Sequence, residues 1–371
     1  MQGIVRYSRL YGPWSFYMEP EFYMEPTGTV KEVPLSNLKA LGADGIIMRD
    51  TRNLEEILTV GLPTIIATAT KGKIPGLPCI LTDDEAIGKM AAEHLLNRGF
   101  RQFAYCGFGN MPPWCQRRRD SFSKRVSEAG CKAYIYKPPK SPDEYSWEKE
   151  QDYIGQWLKK LPKPVGLMAC NDDRGRHITE ACKIMGLNVP EEIAIIGVDN
   201  DELVCEMSNP PLSSIALNVQ KGGYESAELL DKMMSDNSIT DKEIVIQPTH
   251  IVTRQSSDVL AIEDQEVAGT VRFIRENSKK AIQVDDVVSV TALSRRGLEQ
   301  RFRKVLGHSI HDEIKRCRIE QIAQMLVQTN LTISEIGVSL GYVGIEKISR
   351  YFRREKGMSP LAYRKRYGLK V

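Results

Sequence analysis

The chain is poor in the features that mark secreted, membrane-spanning or metal-built proteins. Its 8 cysteines are scattered singly, with no C-x-x-C pair, and several sit in apolar stretches such as "FAYCGF" and "LMACND". That usage excludes a disulfide framework and a zinc framework, and fits reduced thiols in the core of a cytoplasmic protein. No apolar run approaches the roughly 18 residues needed to cross a bilayer. The N-terminus, MQGIVRYSRLYGPW, lacks the basic-then-apolar layout of an export signal. Histidines number only 5; His308 and His311 form an H-x-x-H, but beyond Cys317 no fourth ligand follows. No metal site is expected.

Signatures of catalysis are missing as well. "GFGNMP" at 107–112 is half of a nucleotide-binding loop, lacking its third glycine. There is no lysine–serine phosphate loop, nucleophile elbow or triad spacing. Neither a catalytic residue nor a cofactor is expected. An enzyme built on the α/β body and a plain sugar-binding protein are the competing readings; the missing export signal and the charge distribution oppose the second.

What is present is strongly asymmetric. At 371 residues the chain exceeds what one core serves, so two or three domains are expected. The net charge of +3 hides an uneven division. Residues 271–371 carry 21 Lys and Arg against 10 Asp and Glu, whereas 1–270 carry 30 against 38. An acidic body with a basic end calls for a polyanion as the partner of that end.

Within the basic end, "SRRGLEQRFRKVLG" (294–307) places Leu298, Phe302, Val305 and Leu306 on one helical face. Arg295, Arg296, Gln300 and Arg303 occupy the remainder. Ser294 is a natural N-cap and Gly307 a natural stop. The preceding "VDDVVSVTAL" reads as a shorter helix, which completes a helix-turn-helix. The layout recurs: "TISEIGVSLGY", capped at Thr332 and ended by Gly341, leads into a helix with Ile345, Ile348 and Phe352 on one face. Glu346, Lys347, Arg350 and Arg353 or Arg354 face the other way. A linking helix is expected between the units, with Ile319, Ile322, Ala323 and Leu326 as its stripe. About 18 residues of helix span roughly 27 Å, near the ~34 Å between successive major grooves. Arginine and lysine suit guanine, glutamine suits adenine, and the remaining cations suit phosphates.

The spacing Ile333, Ile336, Gly337, Gly341, Tyr342, then Ile348, Ser349, Arg350, Phe352, Arg353, then Gly357, Ser359, Pro360, Tyr363, Arg364 resembles the DNA-binding domain of AraC/XylS regulators. That resemblance implies two helix-turn-helix units at about 285–305 and 333–356, bound to double-stranded DNA. Two packing positions depart from the pattern, Ile348 and Val288, and bear on helix angles.

The first 250 residues have an α/β rhythm. Strand candidates are "ADGIIM", "PTIIAT", "QFAYCGF", "AYIY", "VGLMAC", "IAIIGV" and "SSIAL", many separated by helical stretches. Alternation of this kind predicts parallel sheets with helices on both faces, and ligands beyond the carboxyl ends of the strands. Two such ends are polar: Asn171, Asp172 and Asp173, and Asp199, Asn200 and Asp201. Taken alone, they read equally as helix caps.

The stretch "ACNDDRGRHITEACKIMGLNVPEEIAIIGVDND", followed by "NPPLSSIAL", resembles the effector domain of lac-repressor-type regulators and periplasmic sugar-binding proteins. The resemblance implies a two-lobed domain in which Asn171 and Asp199 bond sugar hydroxyls, with Asp172 beside them. It places a further contact on Arg118, with Arg117 and Arg119 as neighbours onto which it could slip. Trp114 either stacks on a sugar face or packs in the core. Carboxylate, amide and guanidinium together complement vicinal hydroxyls.

An effector domain (1–255), a linker (256–266) and a DNA-binding domain (267–371), in that order, resemble the bacterial xylose-operon regulators. The resemblance implies a pentose effector, D-xylose foremost, a homodimer, and no membrane partner; RNA polymerase is left open as a further partner. It also implies an apolar strand before Met1, so the first strand is expected to be missing through a late start, a shortened chain or a degraded lobe. FYMEP at 16–20 recurs at 22–26 and is expected to form a loop.

Overall fold

The computed structural model describes residues 1–17, 42–50, 54–67, 72–109, 111–138, 147–235, 242–262, 264–341 and 345–368, without the side chains of 147, 148 and 345–347. The repeated FYMEP, past its first two residues, and Tyr342 lie outside them. The chain forms two compact units. One comprises residues 1–83, 112–116 and 218–247, the other 84–111, 117–217 and 248–371.

The first unit holds helices α1 (Gln2–Tyr11) and α2 (Leu54–Leu58) with strands β1 (Ile46–Arg49), β2 (Thr64–Ala67) and β3 (Cys79–Thr82). They are joined by α8 (Val219–Ser235) and β9 (Glu243–Ile246). Its sheet runs β1-β2-β3-β9, all parallel. Helix α1 packs on α8, where Tyr7 donates to Asp231 Oδ2 at 2.8 Å.

The second unit opens with α3 (Asp84–Leu96), β4 (Gln102–Cys106), α4 (Pro113–Glu128, its first turn in the other unit) and β5 (Lys132–Ile135). It continues through α5 (Trp147–Lys160), β6 (Val165–Ala169), α6 (Asp172–Met185), β7 (Ile193–Asp199), α7 (Glu202–Met207), β8 (Ser213–Leu217) and β10 (Pro248–Val252). The sheet order is β10-β8-β7-β6-β4-β5, parallel except for β10, which runs antiparallel to β8. Every residue of β6 is buried, and all of β7 except its last. Helices cover both faces, so these strands read as continuous apolar runs rather than alternating ones. The seven expected strands are all present. Strands β3, β9 and β10 were not foreseen, because each is short and holds polar residues or proline at its ends.

The helical end follows as α9 (Gln265–Glu276), α10 (Val284–Ser289), α11 (Arg295–Leu306), α12 (Ile310–Gln328), α13 (Ile333–Ser339), α14 (Ile345–Lys356) and α15 (Pro360–Tyr367). Its boundaries follow local chemistry. Ser294 accepts from Gly297 N, and Gly307 closes α11 at φ 81°. Capping boxes open α12 (Ser309 with Asp312) and α13 (Thr332 with Glu335). Helix α12 is the linking helix, and it begins nine residues before the first residue of the expected apolar stripe. Ile310 and Ile314 lie in a core with Leu298 and Phe302, while Ile319, Ile322, Ala323 and Leu326 lie in a second core with Ile336, Ile348 and Phe352. At Gly337 a Cβ would meet Ile348 Cδ1 at 2.6 Å, so glycine permits the close crossing of α13 and α14. Phe352 is fully buried, edge-on to Tyr363 at 5.1 Å between ring centroids. Phe352→Ala is expected to destabilise this core by about 3–5 kcal/mol, read as an early transition in urea unfolding followed by circular dichroism.

Candidate functional site

The carboxyl edge of the second unit's sheet gathers its most unusual chemistry. Strand β7 ends on Asp199; beside it, β6 runs out through Cys170 into Asn171. Asp199 and Asn200 adopt φ of 107° and 52°, and among the described residues they are the non-glycine positions with positive φ. Such conformations cost on the order of 1–3 kcal/mol each and persist only where neighbours impose them.

Asp172 is the principal neighbour. It is 2% exposed and opens α6. Its Oδ2 accepts from Asp201 N at 2.8 Å and its Oδ1 from Ser214 Oγ at 2.6 Å. Ser214 Oγ in turn accepts from Asn200 N at 3.0 Å. Burial pushes the Asp172 carboxyl up to about 7, helped by the charge of Asp199, while the bonds from Ser214 and Asp201 pull the other way. A Cβ at Gly197 would lie 2.3 Å from Asp172 Oδ1, so only glycine admits this carboxylate. Asp172 therefore lies beneath the turn as its support and is not presented outward.

A second buried carboxylate organises the arginines. Asp84, at the start of α3, has a side chain with no exposed surface. Arg118 Nε donates to its Oδ1 at 3.0 Å; Arg117 Nε and Nη2 donate to its Oδ2 at 3.0 and 2.7 Å. Arg118 Nη1 also donates to Cys170 O at 2.6 Å, and its Nη2 stands 4.0 Å from Asp199 Oδ1. Arg119 instead pairs with Asp120. The Asp199 side chain keeps 45% exposure. Burial of the surrounding group raises its pKa to about 6; Arg118 opposes this, while Asp173, Asp84 and Asp201 add to it. Asn171 caps α6, its Oδ1 accepting from Arg174 N at 3.0 Å, which leaves the amide NH2 as the part able to donate elsewhere. Arg118, Asn171 and Asp199 are thus brought to one strand edge. Trp114, half-buried, belongs to the other compact unit.

Three contributors were not anticipated: Asp84, Ser214 and Arg254. Asp84 reads in sequence as an ordinary acidic first-turn residue. Ser214 sits inside an apolar strand, and Arg254 follows the last one.

On the helical end, Arg296, Gln300 and Arg303 are exposed along α11, and Arg295 is exposed while paired with Asp285 at 2.7 Å. Arg350 and Arg353 are exposed on α14; the side chains of Glu346 and Lys347 lie outside the described residues. Other cations serve the fold. Arg318 donates to Leu340 O at 2.6 Å and Arg364 to Leu326 O at 3.1 Å, each satisfying a carbonyl at a helix end. Glu313, 1% exposed, accepts from His308 Nε2 at 2.9 Å and Arg316 Nη2 at 2.5 Å. Burial works to raise its pKa, yet His308, Arg316 and Arg275 hold it at about 2.

Comparison with known proteins identifies the two kinds of domain. Residues 92–257 match a periplasmic binding protein-like domain, and 287–366 a helix-turn-helix domain. The chain is 31% identical to the xylose operon regulatory protein of Haemophilus influenzae, across 95% of this chain and 90% of that one. It is 28% identical to its Escherichia coli K12 counterpart, across 95% and 89%. A solved xylose-binding transcription activator, XylR, aligns over 99% of this chain and 94% of its own, with TM-score 0.58 and 26% identity. A ribose-bound LacI family regulator from Enterococcus faecium shares the fold over 60% of this chain and 83% of its own, with TM-score 0.50 and 24% identity.

These findings correct one expectation. The AraC/XylS assignment drawn from the C-terminal spacing is overturned, since the effector half aligns with LacI-type regulators and with the regulator DegA of Bacillus subtilis, 28% identical over 58% of this chain and 63% of that one. The physical reason is that Ile336, Gly337, Ile348, Phe352 and Tyr363 are packing positions, which report helix-turn-helix geometry rather than lineage. The chain is a sugar-responsive transcription regulator, with a periplasmic binding protein-like domain followed by a helical end that holds a helix-turn-helix domain.

Asp84→Asn is expected to cost about 3–5 kcal/mol, because it strips the counter-charge from the buried Arg118. The measurement is the shift in urea midpoint of the full chain, with Asp120→Asn, an exposed carboxylate paired with the half-buried Arg119, as the silent control.

Proposed function

We propose that this chain, which belongs to the family of xylose operon regulatory proteins, takes D-xylose as its effector and couples its capture to operator binding. It is a transcription regulator and not an enzyme. In this reading Asp199 accepts two sugar hydroxyl protons, Arg118 donates to the same or adjacent hydroxyls, and the Asn171 amide adds a donor. Trp114 is the candidate for stacking on the sugar ring. Asp172 contributes by holding Asp199 in place. The single observation that carries the reading is Arg118 of α4 standing 4.0 Å from Asp199 at the end of β7, donor beside acceptor, as vicinal hydroxyls require. The effector domain spans 1–255, the linker 256–266 and the DNA-binding domain 267–371, and the regulator works as a homodimer.

The helical domain reads duplex DNA through Arg295, Arg296, Gln300 and Arg303 of its first unit, and Glu346, Lys347, Arg350 and Arg353 of its second. Among the described residues no helix is long and apolar enough to cross a membrane.

The effector assignment is tested by calorimetric titration with a panel of pentoses. Xylose binding requires the Asp199 carboxylate ionised, so affinity rises with pH and levels off above its pKa of about 6. At pH 5 it is expected to be about tenfold weaker than at pH 7.5, since only about a tenth of the groups are then charged. Asp199→Asn is expected to lose both most of the affinity and that pH dependence; tight, pH-invariant binding by the unmutated chain would refute the role of Asp199.

For the DNA contact, Arg296→Ala and Lys347→Ala are each expected to relax base preference by about 1–3 kcal/mol in competition binding with permuted operators. Log affinity is expected to fall steeply with log salt, and Arg350→Ala or Arg353→Ala to make that slope shallower by about one unit per lost phosphate contact.

A further inference from the structure

The strained turn after β7 is imposed by three side chains, and the third has an unusual position. Asp172 holds the Asp201 amide and Ser214 the Asn200 amide. The side chain of Asn200 is held by Arg254, whose Nη1 donates to Asn200 Oδ1 at 3.0 Å and to Leu212 O at 3.0 Å. Arg254 is itself immobilised. Its Nε donates to Glu206 Oε1 at 2.8 Å, its backbone N–H to Ser213 Oγ at 2.8 Å, and its carbonyl accepts from the same hydroxyl at 2.8 Å. Only 12% of its side chain is exposed. A guanidinium held also by Leu212 O and Glu206, on a backbone bonded twice to Ser213, cannot follow Asn200 elsewhere, so it pins that residue at φ 52° together with the peptide that joins it to Asp199.

Arg254 also stands where the effector lobe ends. The next residues form a turn (Gln255–Ser257) that is tied down at once. Ser256 N donates to Pro211 O at 3.0 Å and its Oγ to Ile195 O at 2.7 Å. Arg98 Nε donates to Ser257 O at 2.7 Å, and Ala261 N to Arg98 O at 2.8 Å. The tether to the helical domain therefore begins at the residue that sets the Asp199 turn.

We propose that Arg254 is a positioning residue for effector capture. Without touching the sugar, it holds the Asp199–Asn200 turn in its strained, ligand-ready form, and it makes that turn and the first residues of the tether one rigid unit. The proposal rests on the reading of Asp199 as a sugar acceptor.

The test uses the full chain, D-xylose as probe, and the variants Arg254→Met, Arg254→Lys, Asn200→Gly and the double variant Asn200→Gly/Arg254→Met. Arg254→Met is expected to weaken xylose binding about tenfold, the scale of one released strained conformation, with Arg254→Lys between it and the unmutated chain. Glycine takes a positive φ freely and offers no Oδ1, so Arg254→Met in the Asn200→Gly background is expected to change affinity less than about twofold. Equal losses in both backgrounds would mean that Arg254 acts only through Leu212 and Glu206, and would overturn the proposal; so would unchanged affinity in Arg254→Met. A second measurement stands without sugar: hydrogen exchange at the Asn200, Asp201 and Ser256 amides is expected to quicken in Arg254→Met, or in Arg254→Lys should the methionine variant not fold. Unaltered protection there would overturn the proposal as well. If the unmutated chain binds no xylose while exchange quickens as expected, the effector assignment fails and the positioning role stands.

Discussion

A single buried carboxylate, Asp172, holds together the carboxyl edge of the second unit's sheet. It joins the first turn of α6 to the amide of Asp201 and to the hydroxyl of Ser214, and Ser214 carries the bond on to Asn200. The ends of β6 and β7 are thereby locked to β8 in one arrangement, and two residues are forced into backbone conformations they would otherwise leave. Burying a carboxyl without a cationic partner is costly, and its pKa near 7 expresses that cost. The cost is local; the return is a strand end on which Asp199 is held in one conformation. Asp84 plays the matching part for the arginines, holding Arg117 and Arg118 so that one guanidinium edge stays directed at Cys170 O and toward Asp199. Preorganisation of this kind lowers the ordering cost that binding would otherwise carry.

The helical end divides its cations between two tasks. Arg318 and Arg364 close helix carbonyls, and Arg316 neutralises the buried Glu313. The outward-facing arginines of α11 and α14 are among the cations left for a polyanion. Net charge alone thus overstates the number of phosphate contacts, because part of the excess is consumed by the packing of seven short helices.

Helical end and effector lobe meet within one compact unit through polar contacts. Gln328 Nε2 donates to His250 Nε2 at 2.9 Å, and Tyr363 Oη to Thr249 O at 3.4 Å, both onto β10. Arg101 Nη2 donates to Val305 O at 2.8 Å and Arg275 Nη2 to Asn97 O at 2.9 Å. With Nε2 accepting, the His250 ring is neutral and carries its proton on Nδ1, toward Thr249 Oγ1 at 2.9 Å; burial lowers its pKa in the same sense. His250 pairs in the sheet with Ala216, which pairs with Asp199. Strand β10 is therefore two ladder steps from the effector edge and in direct contact with α12 and α15.

Sequence by itself determined most of the elements and their order. Apolar runs such as VGLMA and IAIIGV can only be strands covered on both faces, and Ser294, Gly307 and Thr332 punctuate helices through bonds to their own neighbours. Those signals are local, so they survive without the fold. The roles of Asp172, Asp84, Ser214 and Arg254 are not local: their partners lie 34 to 54 residues away in the cases of Arg118 to Asp84, Ser214 to Asp172 and Arg254 to Asn200. The sequence pattern therefore counted Asp172 among the ligand contacts and passed over the other three. Only the tertiary structure, by setting the ends of β6 and β7 beside β8, decided which carboxylate faces outward and which is buried to hold it there.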